Sequence, residues 1–348
     1  MNPDFTLSCP LPLASRKTIV MGHGSGGRLS AELIRQLFLP AFDNPLLAKL
    51  DDQAVFEAGG ARLAFTTDSY VVTPLFFPGG NIGELAVNGT VNDLAMSGAR
   101  PLYLSAAFIL EEGLPLEELE RVVRAMSEAA RRAGVTVATG DTKVVNHGSA
   151  DKLFVTTAGV GLVPAGVDVS ASNIRPGDRI ILSGSIADHG IAVLSVREGL
   201  EFEGAIASDT MPLHRLVEVM LAAGEIHAMR DPTRGGLATS LCEMAAASQV
   251  GVEVEAARIP VREPVRAACE LLGLDPLFVA NEGKLVAFAA SETAEAVLAA
   301  MRATDEGRDA VIIGEAVAAH PPMVLLQTEI GGRRILDLPF TEQLPRIC

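Results

Sequence analysis

Residues 116–139 read LEELERVVRAMSEAARRAGVTVAT. Leu116, Leu119, Val122, Val123 and Met126 recur at helical spacing, so an amphipathic helix is expected through Ala133. Gly134 follows as its stop, because helices favour glycine where the chain turns left-handed. Val135–Thr139 is rich in β-branched residues and reads as a short strand. A helix closed by glycine and followed at once by a strand is the unit of an α/β chain. The alternation continues outward. Arg62–Thr67 and Leu153–Val163 read as strands, and Pro164–Asp178 reads as a linker. Beyond it Arg179–Ser183 restarts as strand, Met211–Ala223 and Gly236–Ser248 read as helices, and Leu285–Ala290 reads as strand. The expectation is an α/β (α+β) chain with a boundary near residue 168. Two domains, 1–168 and 169–338, are followed by a flexible tail, 339–348, with two prolines and little periodicity.

The 348 residues suffice for two sizeable cores, and 49% hydrophobic with 20% charged residues is a globular balance. A formal charge of −15 argues against nucleic acid or anionic membrane as partner, both of which need excess Lys and Arg. Clustered carboxylates can instead recruit metal cations. The four cysteines, Cys9, Cys242, Cys269 and Cys348, form no CxxC pair, and the start lacks a basic segment followed by an apolar one. Cys242 and Cys269 lie in apolar helical runs and read as small buried hydrophobes. A cytoplasmic setting, where thiols stay reduced, is expected. Cys348 is different: a thiol on the last residue is open to oxidation and suits a structural role poorly.

Gly22-His23-Gly24-Ser25-Gly26-Gly27 follows a short apolar stub, Thr18–Met21, and precedes the amphipathic stretch Arg28–Leu39. It matches GxGxxG, so a dinucleotide loop, a looser phosphate-covering loop and a plain surface turn all remain open. A P-loop is excluded, because Arg28 and Leu29 stand where Lys and Ser/Thr are required. Acids recur at strand ends or loop starts: Asp51-Asp52, Asp68, Asp93, Asp141 and Asp231. Several carboxylates converging from different strands would hold Mg²⁺, a hard cation that takes few protein ligands when phosphates supply the rest. Each also has an ordinary reading: Asp93 as the cap of a helix, Asp231 as a turn former before Pro232, the 51–52 pair as a solvated face. Lys143, just after Asp141, could neutralise phosphate or act as a desolvated base, or be an exposed lysine. Glu282 in Asn281-Glu282-Gly283 could be catalytic or sit in a turn between two strands. The six histidines lack zinc-ligand spacing, and no GxSxG elbow is present.

Together HGSGG (23–27), DDQAV (51–55), TTDS (66–69), VNDLAMSGA (91–99), TGDTKV (139–144), DPTRGGLA (231–238), NEGK (281–284) and the terminal PRIC (345–348) resemble the HypE family of hydrogenase maturation proteins. The resemblance runs from about residue 20 to the end, and the co-occurrence of DPTRGG, NEG and a terminal Cys is its most specific part. It implies the PurM-like architecture shared with aminoimidazole ribonucleotide synthetase, selenophosphate synthetase and thiamine monophosphate kinase, with an ATP-binding N-terminal domain and a homodimer. It also implies ATP-dependent dehydration of a carbamoyl group carried on Cys348. The carbamoyltransferase HypF would load that sulfur, and a HypC–HypD complex would accept the cyanide for a [NiFe]-hydrogenase. By match to family positions, Gly24, Gly26, Gly27, Asp68, Asn92, Gly140, Asp141 and Thr142 would bind ATP. Asp51, Asp68, Asp93, Asp141 and Asp231 would hold Mg²⁺, and Lys143 and Glu282 would flank the carboxamide with Asp93 and Cys348.

The implied chemistry suits these residues. An amide oxygen leaves poorly, and phosphorylation turns it into a phosphate leaving group; a base must then take protons from nitrogen. Water must be excluded, which a tail entering a pocket beneath the 22–27 loop would achieve. Three alternatives remain. A selenophosphate synthetase-like enzyme would usually carry Cys or selenocysteine in its glycine-rich segment, where this chain reads MGHGSGGR. A tail-presenting scaffold would need Cys348 but not Asp93 or Lys143. A nicotinamide dehydrogenase rests on GxGxxG alone. Cys9 matches no family motif, and Arg234 and Arg346 could each serve phosphate or tail docking.

Overall fold

The computed structural model describes residues 18–200, 206–340 and 347–348. Cys9 and Arg346 therefore lie outside the described residues. Among the described residues a 3₁₀ turn, Met21–Gly24, is followed by two short helices, α1 (Arg28–Leu33) and α2 (Leu39–Phe42), joined by a π-turn at Ile34–Phe38. Then come β1 (Ala54–Ala58), β2 (Ala61–Tyr70), the two-residue strands β3 (Phe76–Phe77) and β4 (Gly80–Asn81), α3 (Ile82–Met96), β5 (Arg100–Glu111), α4 (Leu116–Ala133), β6 (Thr136–Val145) and β7 (Leu153–Leu162). Strands β1, β2, β7, β5 and β6 form one sheet in that order, antiparallel except for the parallel β5–β6 pair.

Helix α4 ends on Gly134, whose φ of 67° is the left-handed stop read from the sequence. Its buried stripe is Val122, Met126, Ala129, Ala130 and Ala133, whereas Leu116 and Val123 face solvent. Small alanines let the helix lie close to the layer beneath, so the buried face is rotated from the one the large residues marked. Helix α3 starts on Asn81, whose side chain accepts from the Gly83 and Glu84 amides, and nearly every residue of the helix is buried. Asp93 is therefore inside α3 and caps no helix. Gly89 on α3 is needed for close approach: an added Cβ would lie 2.1 Å from the Tyr70 hydroxyl.

The remaining elements are β8 (Arg179–Leu182), α5 (Asp188–Arg197), α6 (His214–Ala223), β9 (Ile226–Arg230), α7 (Gly236–Ser248), β10 (Gly251–Glu255), α8 (Glu263–Leu272), β11 (Val286–Ala289), α9 (Ala294–Arg302), β12 (Val311–Val317), β13 (Val324–Gln327) and β14 (Arg333–Leu336). Their sheet runs β14-β13-β10-β12-β8-β11-β9. Alternation along β8 divides the core: Ile180 and Leu182 join α7 on one side, and Ile181 joins α6 and α9 on the other. The first sheet ends at Leu162 and the second begins at Arg179, with a single 3₁₀ turn, Ala171–Asn173, between them. Helices α5 and α8 add Ile191, Ala192, Val265 and Cys269 to the apolar cluster beneath the first sheet, so the two halves share a packed seam. No described helix is long and apolar enough to cross a membrane.

Candidate active site

Five carboxylates meet at this seam, each from a different segment. Asp52 precedes β1, Asp68 lies on β2, Asp93 on α3, Asp231 follows β9, and Glu282 precedes β11. Burial lifts the Asp93 carboxyl well above the ordinary range, and the charges of Asp68, Asp231 and Asp52 lift it further. Burial does the same to Asp231, reinforced by Asp52 and Asp68. It does so again to Glu282, reinforced by Asp231, Asp209 and Asp68 and opposed by Arg234. Asp52 is raised to about 6, chiefly by burial, although Arg230 opposes the rise from 3.0 Å away. The Thr66 hydroxyl lies 2.7 Å from Asp93 Oδ2, and the Tyr70 hydroxyl donates to Asp68 Oδ2 over 3.0 Å. Tyr70 is itself buried, and desolvation together with Asp68 holds its phenol protonated.

Glu282 is 2% exposed, and its Oε1 has no hydrogen-bond partner. Its backbone is fixed on both sides: the Glu282 amide donates to Asp209 Oδ1, and its carbonyl accepts from Asn92 Nδ2. It does not sit in a hairpin. The preceding residues form a 3₁₀ turn, Pro276–Phe278, and only β11 follows. An unpaired buried carboxylate oxygen is costly unless a ligand uses it. Among the described residues no three acid, His or Cys side chains already close into a metal cage. Hard oxygen donors that face one space without closing it fit Mg²⁺ arriving with phosphates.

Other expected site residues are placed differently. Asp51 is engaged structurally: its carboxylate accepts from Ser170 Oγ at 2.9 Å and the Ala171 amide at 3.3 Å, holding the linker turn. Asn92 acts as a bolt between the domains, donating to the Met211 and Glu282 carbonyls and accepting from the Leu213 amide. Little of its capacity is left for a nucleotide. On β6, Gly140 lies in register with Ala106, Thr157 and Asp68. Asp141 and Lys143 lie one and three residues beyond Gly140, so both point to the opposite face from Asp68. Three strand spacings also separate β6 from β2, roughly 14 Å. Asp141, Thr142 and Lys143 are exposed, and Lys143 Nζ pairs with Asp141 Oδ2 at 2.7 Å. Within one chain they are not part of the carboxylate pocket. Gly140 has a packing reason for its identity, since a Cβ there would sit 2.2 Å from the Ala106 carbonyl.

The glycine-rich segment forms a 3₁₀ turn, Met21–Gly24, and then enters α1. It rests on two supports. Arg234 Nη1 donates to the Gly24 carbonyl, and Gly26, at φ 75°, packs on the Arg234 backbone. The Arg28 amide donates to the Pro339 carbonyl at 2.9 Å, and a Cβ on Gly27 would lie 2.5 Å from that oxygen. The loop therefore grips the base of the tail. At the far end, the Val71 amide donates to a Cys348 α-carboxylate oxygen over 3.2 Å, and Ile347 is 1% exposed. Cys348 packs half-buried against the same apolar cluster. The backbone of the last residue is thus held by the residue that follows Tyr70, whose hydroxyl binds Asp68. The other described thiols are not candidates. Cys269 is buried and raised to about 11, and Cys242, raised to about 12, donates to the Leu336 carbonyl.

Tyr70, Asp209 and Arg230 are polar members of this seam that the sequence did not single out as ligands or catalysts. A tyrosine two residues after Asp68 on one strand shares its face, which is the one local signal available.

Comparison with known proteins places the chain in a family. Residues 50–163 match the family described as AIR synthase related protein, N-terminal domain, and residues 175–324 match its C-terminal domain. A carbamoyl dehydratase HypE from Azotobacter vinelandii is 58% identical over 332 residues, which is 95% of this chain and 97% of that one. A HypE–HypF complex contains a chain of similar structure, with a TM-score of 0.84 and 47% identity over 88% of this chain and 99% of that one. A HypE solved in complex with ATP superposes with a TM-score of 0.81 and 51% identity, covering 95% of this chain and 100% of that one. The chain belongs to the carbamoyl dehydratase HypE family, within the AIR synthase related fold.

Proposed function

We infer that the protein uses ATP to dehydrate a carbamoyl group carried as an S-carboxamide on its own Cys348, leaving a thiocyanate. The observation that supports this reading is the backbone bond to Cys348 from Val71, next in sequence to Tyr70, whose hydroxyl binds Asp68 of the buried carboxylates. The reaction balances as follows. The carboxamide oxygen bonds to the γ-phosphorus of ATP, and ADP leaves. Two protons leave the nitrogen in turn, the C–O bond breaks, and the oxygen departs in phosphate. Bound Mg²⁺ would neutralise phosphate charge, with Asp68, Asp93 and Asp231 as the residues to hold it and Asp52 behind them. Glu282 is proposed as the base. Its burial makes it a stronger base than an ordinary carboxylate, and it alone of the two candidates lies in this chain's pocket. The half-buried sulfur and the apolar cluster around Ile347 favour exclusion of water from the activated intermediate.

HypF is proposed as the loading partner, on the strength of the HypE–HypF complex, and a HypC–HypD complex as the cyanide acceptor. A cytoplasmic setting belongs to the same reading, since Cys348 must remain a thiol. Loading is tested by intact mass after incubation with the loading partner and its substrates. A carbamoyl-sized gain is expected on the native chain and none on Cys348→Ala; equal gain on both would remove Cys348 as the carrier.

A homodimer is also proposed. The open face of the first sheet carries Phe65, Tyr103 and Ile109, which are 47%, 54% and 42% exposed, together with Asp141 and Lys143. Apolar residues on an unpartnered sheet face favour burial against a second copy. That association would bring Asp141 and Lys143 into an interface, which is the route by which edge-strand residues could serve a site in another subunit. Phe65→Asp with Ile109→Asp is expected to convert a dimer to a folded monomer in sedimentation, with turnover reduced at least tenfold. A double variant that stays dimeric would refute this use of the face.

A further inference from the structure

His189, on α5, has a place that the reaction outlined above does not explain. It is fully buried, and its Nε2 lies 2.9 Å from the carbonyl oxygen of Ile347. A carbonyl only accepts, so Nε2 carries the proton. Nδ1 must then accept from the Ser208 hydroxyl, 2.8 Å away, and Ser208 Oγ accepts in turn from the Thr210 amide at 3.2 Å. The Ser208 amide donates to the Pro78 carbonyl, fixing this loop to the first domain. The Phe77 ring meets the imidazole edge-to-face, with centroids 5.4 Å apart. Each ring atom that could form a hydrogen bond is thus assigned, and the ring cannot rotate without breaking two bonds.

We propose that His189, the Val71 amide and the apolar seat of Ile347 form a clasp that reads the last two residues, making His189 a positioning residue for the terminal sulfur. The two hydrogen bonds fall on successive main-chain oxygens, the Ile347 carbonyl to His189 and the Cys348 α-carboxylate to Val71, so they fix both direction and depth of entry. The Ile347 side chain lies in the cluster that holds Val72, Leu75, Phe77 and Ile191, which gives the dipeptide an apolar anchor. Burial lowers the His189 pKa, which keeps the ring neutral and preserves the assigned tautomer. The contact joins α5 of the second domain to the tail, while Val71 belongs to the first, so the clasp closes only when the seam is intact. This inference rests on Cys348 being the carrier, but docking can be measured without catalysis.

The test is the alkylation rate of Cys348, followed by peptide mass in the full-length protein, for native chain, His189→Leu, His189→Gln, Ser208→Ala and Ile347→Ala. Gln retains an N–H near Nε2 and should keep most of the protection. His189→Leu and Ile347→Ala should each raise the rate roughly tenfold, the loss of one hydrogen bond or one apolar anchor. Ser208→Ala should fall between. Loading by the partner should be unaffected in all four, while ATP-dependent water loss slows in step with lost protection. Equal alkylation of Cys348 in the native chain and the folded variants would overturn the clasp. Failure of the native loaded chain to lose water would instead refute the dehydratase reading, while the protection pattern would still stand.

Discussion

Asp93→Asn is expected to lower ATP-dependent turnover roughly 10²–10³-fold while leaving the protein as stable as before or more so. Asn is isosteric, and its Oδ1 can keep the Thr66 contact now made over 2.7 Å. What it removes is a charge that burial and three neighbouring acids make unfavourable. The sign follows from linkage. A carboxyl raised in the folded state binds more protons there than in the unfolded chain, so stability falls as pH rises through the window between the two values and stays lowered above it. The variant escapes that loss, so its advantage in melting temperature should grow from acid to mildly alkaline pH. A destabilised variant, or one with native turnover, would contradict the place of Asp93 in the ATP pocket. The scaffold alternative predicts native loading and no dependence on Asp93 at all.

Glu282→Gln is expected to abolish measurable water loss from the loaded tail, a fall of at least about 10²-fold, with ATP binding retained. A base works only when unprotonated. Burial and the charges of Asp231, Asp209 and Asp68 raise the Glu282 pKa, so native activity should fall with decreasing pH at values above the ordinary carboxylate range. That acid limb should be missing from any residual activity of the variant. Retention of the limb in Glu282→Gln would assign the base elsewhere.

The fold was largely legible because its signals are local. The glycine stop of α4 and the span of α7 follow directly from residue order and period. The α4 core stripe was less so, since large residues drew attention to a face that the alanines, packed closely, turned away from the core. For the site, the sequence marked acids in small-residue contexts, and four of the five pocket carboxylates lie in the segments it singled out as DDQ, TTDS, VND and DPTRGG; the fifth is Glu282. It named Asp51 and Asp52 together, and the family resemblance assigned Asp51 the metal role; adjacent acids look alike until strand and linker decide which one turns inward. Within one chain Asp141 and Lys143 stay outside the pocket, which is a matter of sheet parity. The sequence reading ended this strand at Thr139, whereas β6 runs to Val145, and its register against β2 runs through β5 and β7 and is visible only when the strands are paired. His189 had no signal, because its partner is a backbone carbonyl 158 residues away.

The most direct measurement is the intact mass of the chain, already loaded on Cys348, before and after addition of Mg-ATP. The expected result is loss of one water, only with ATP, with one phosphate released per chain. Hydrolysis of ATP with the carboxamide mass unchanged, or no reaction at all, would contradict the central claim that this protein dehydrates its own C-terminal cargo.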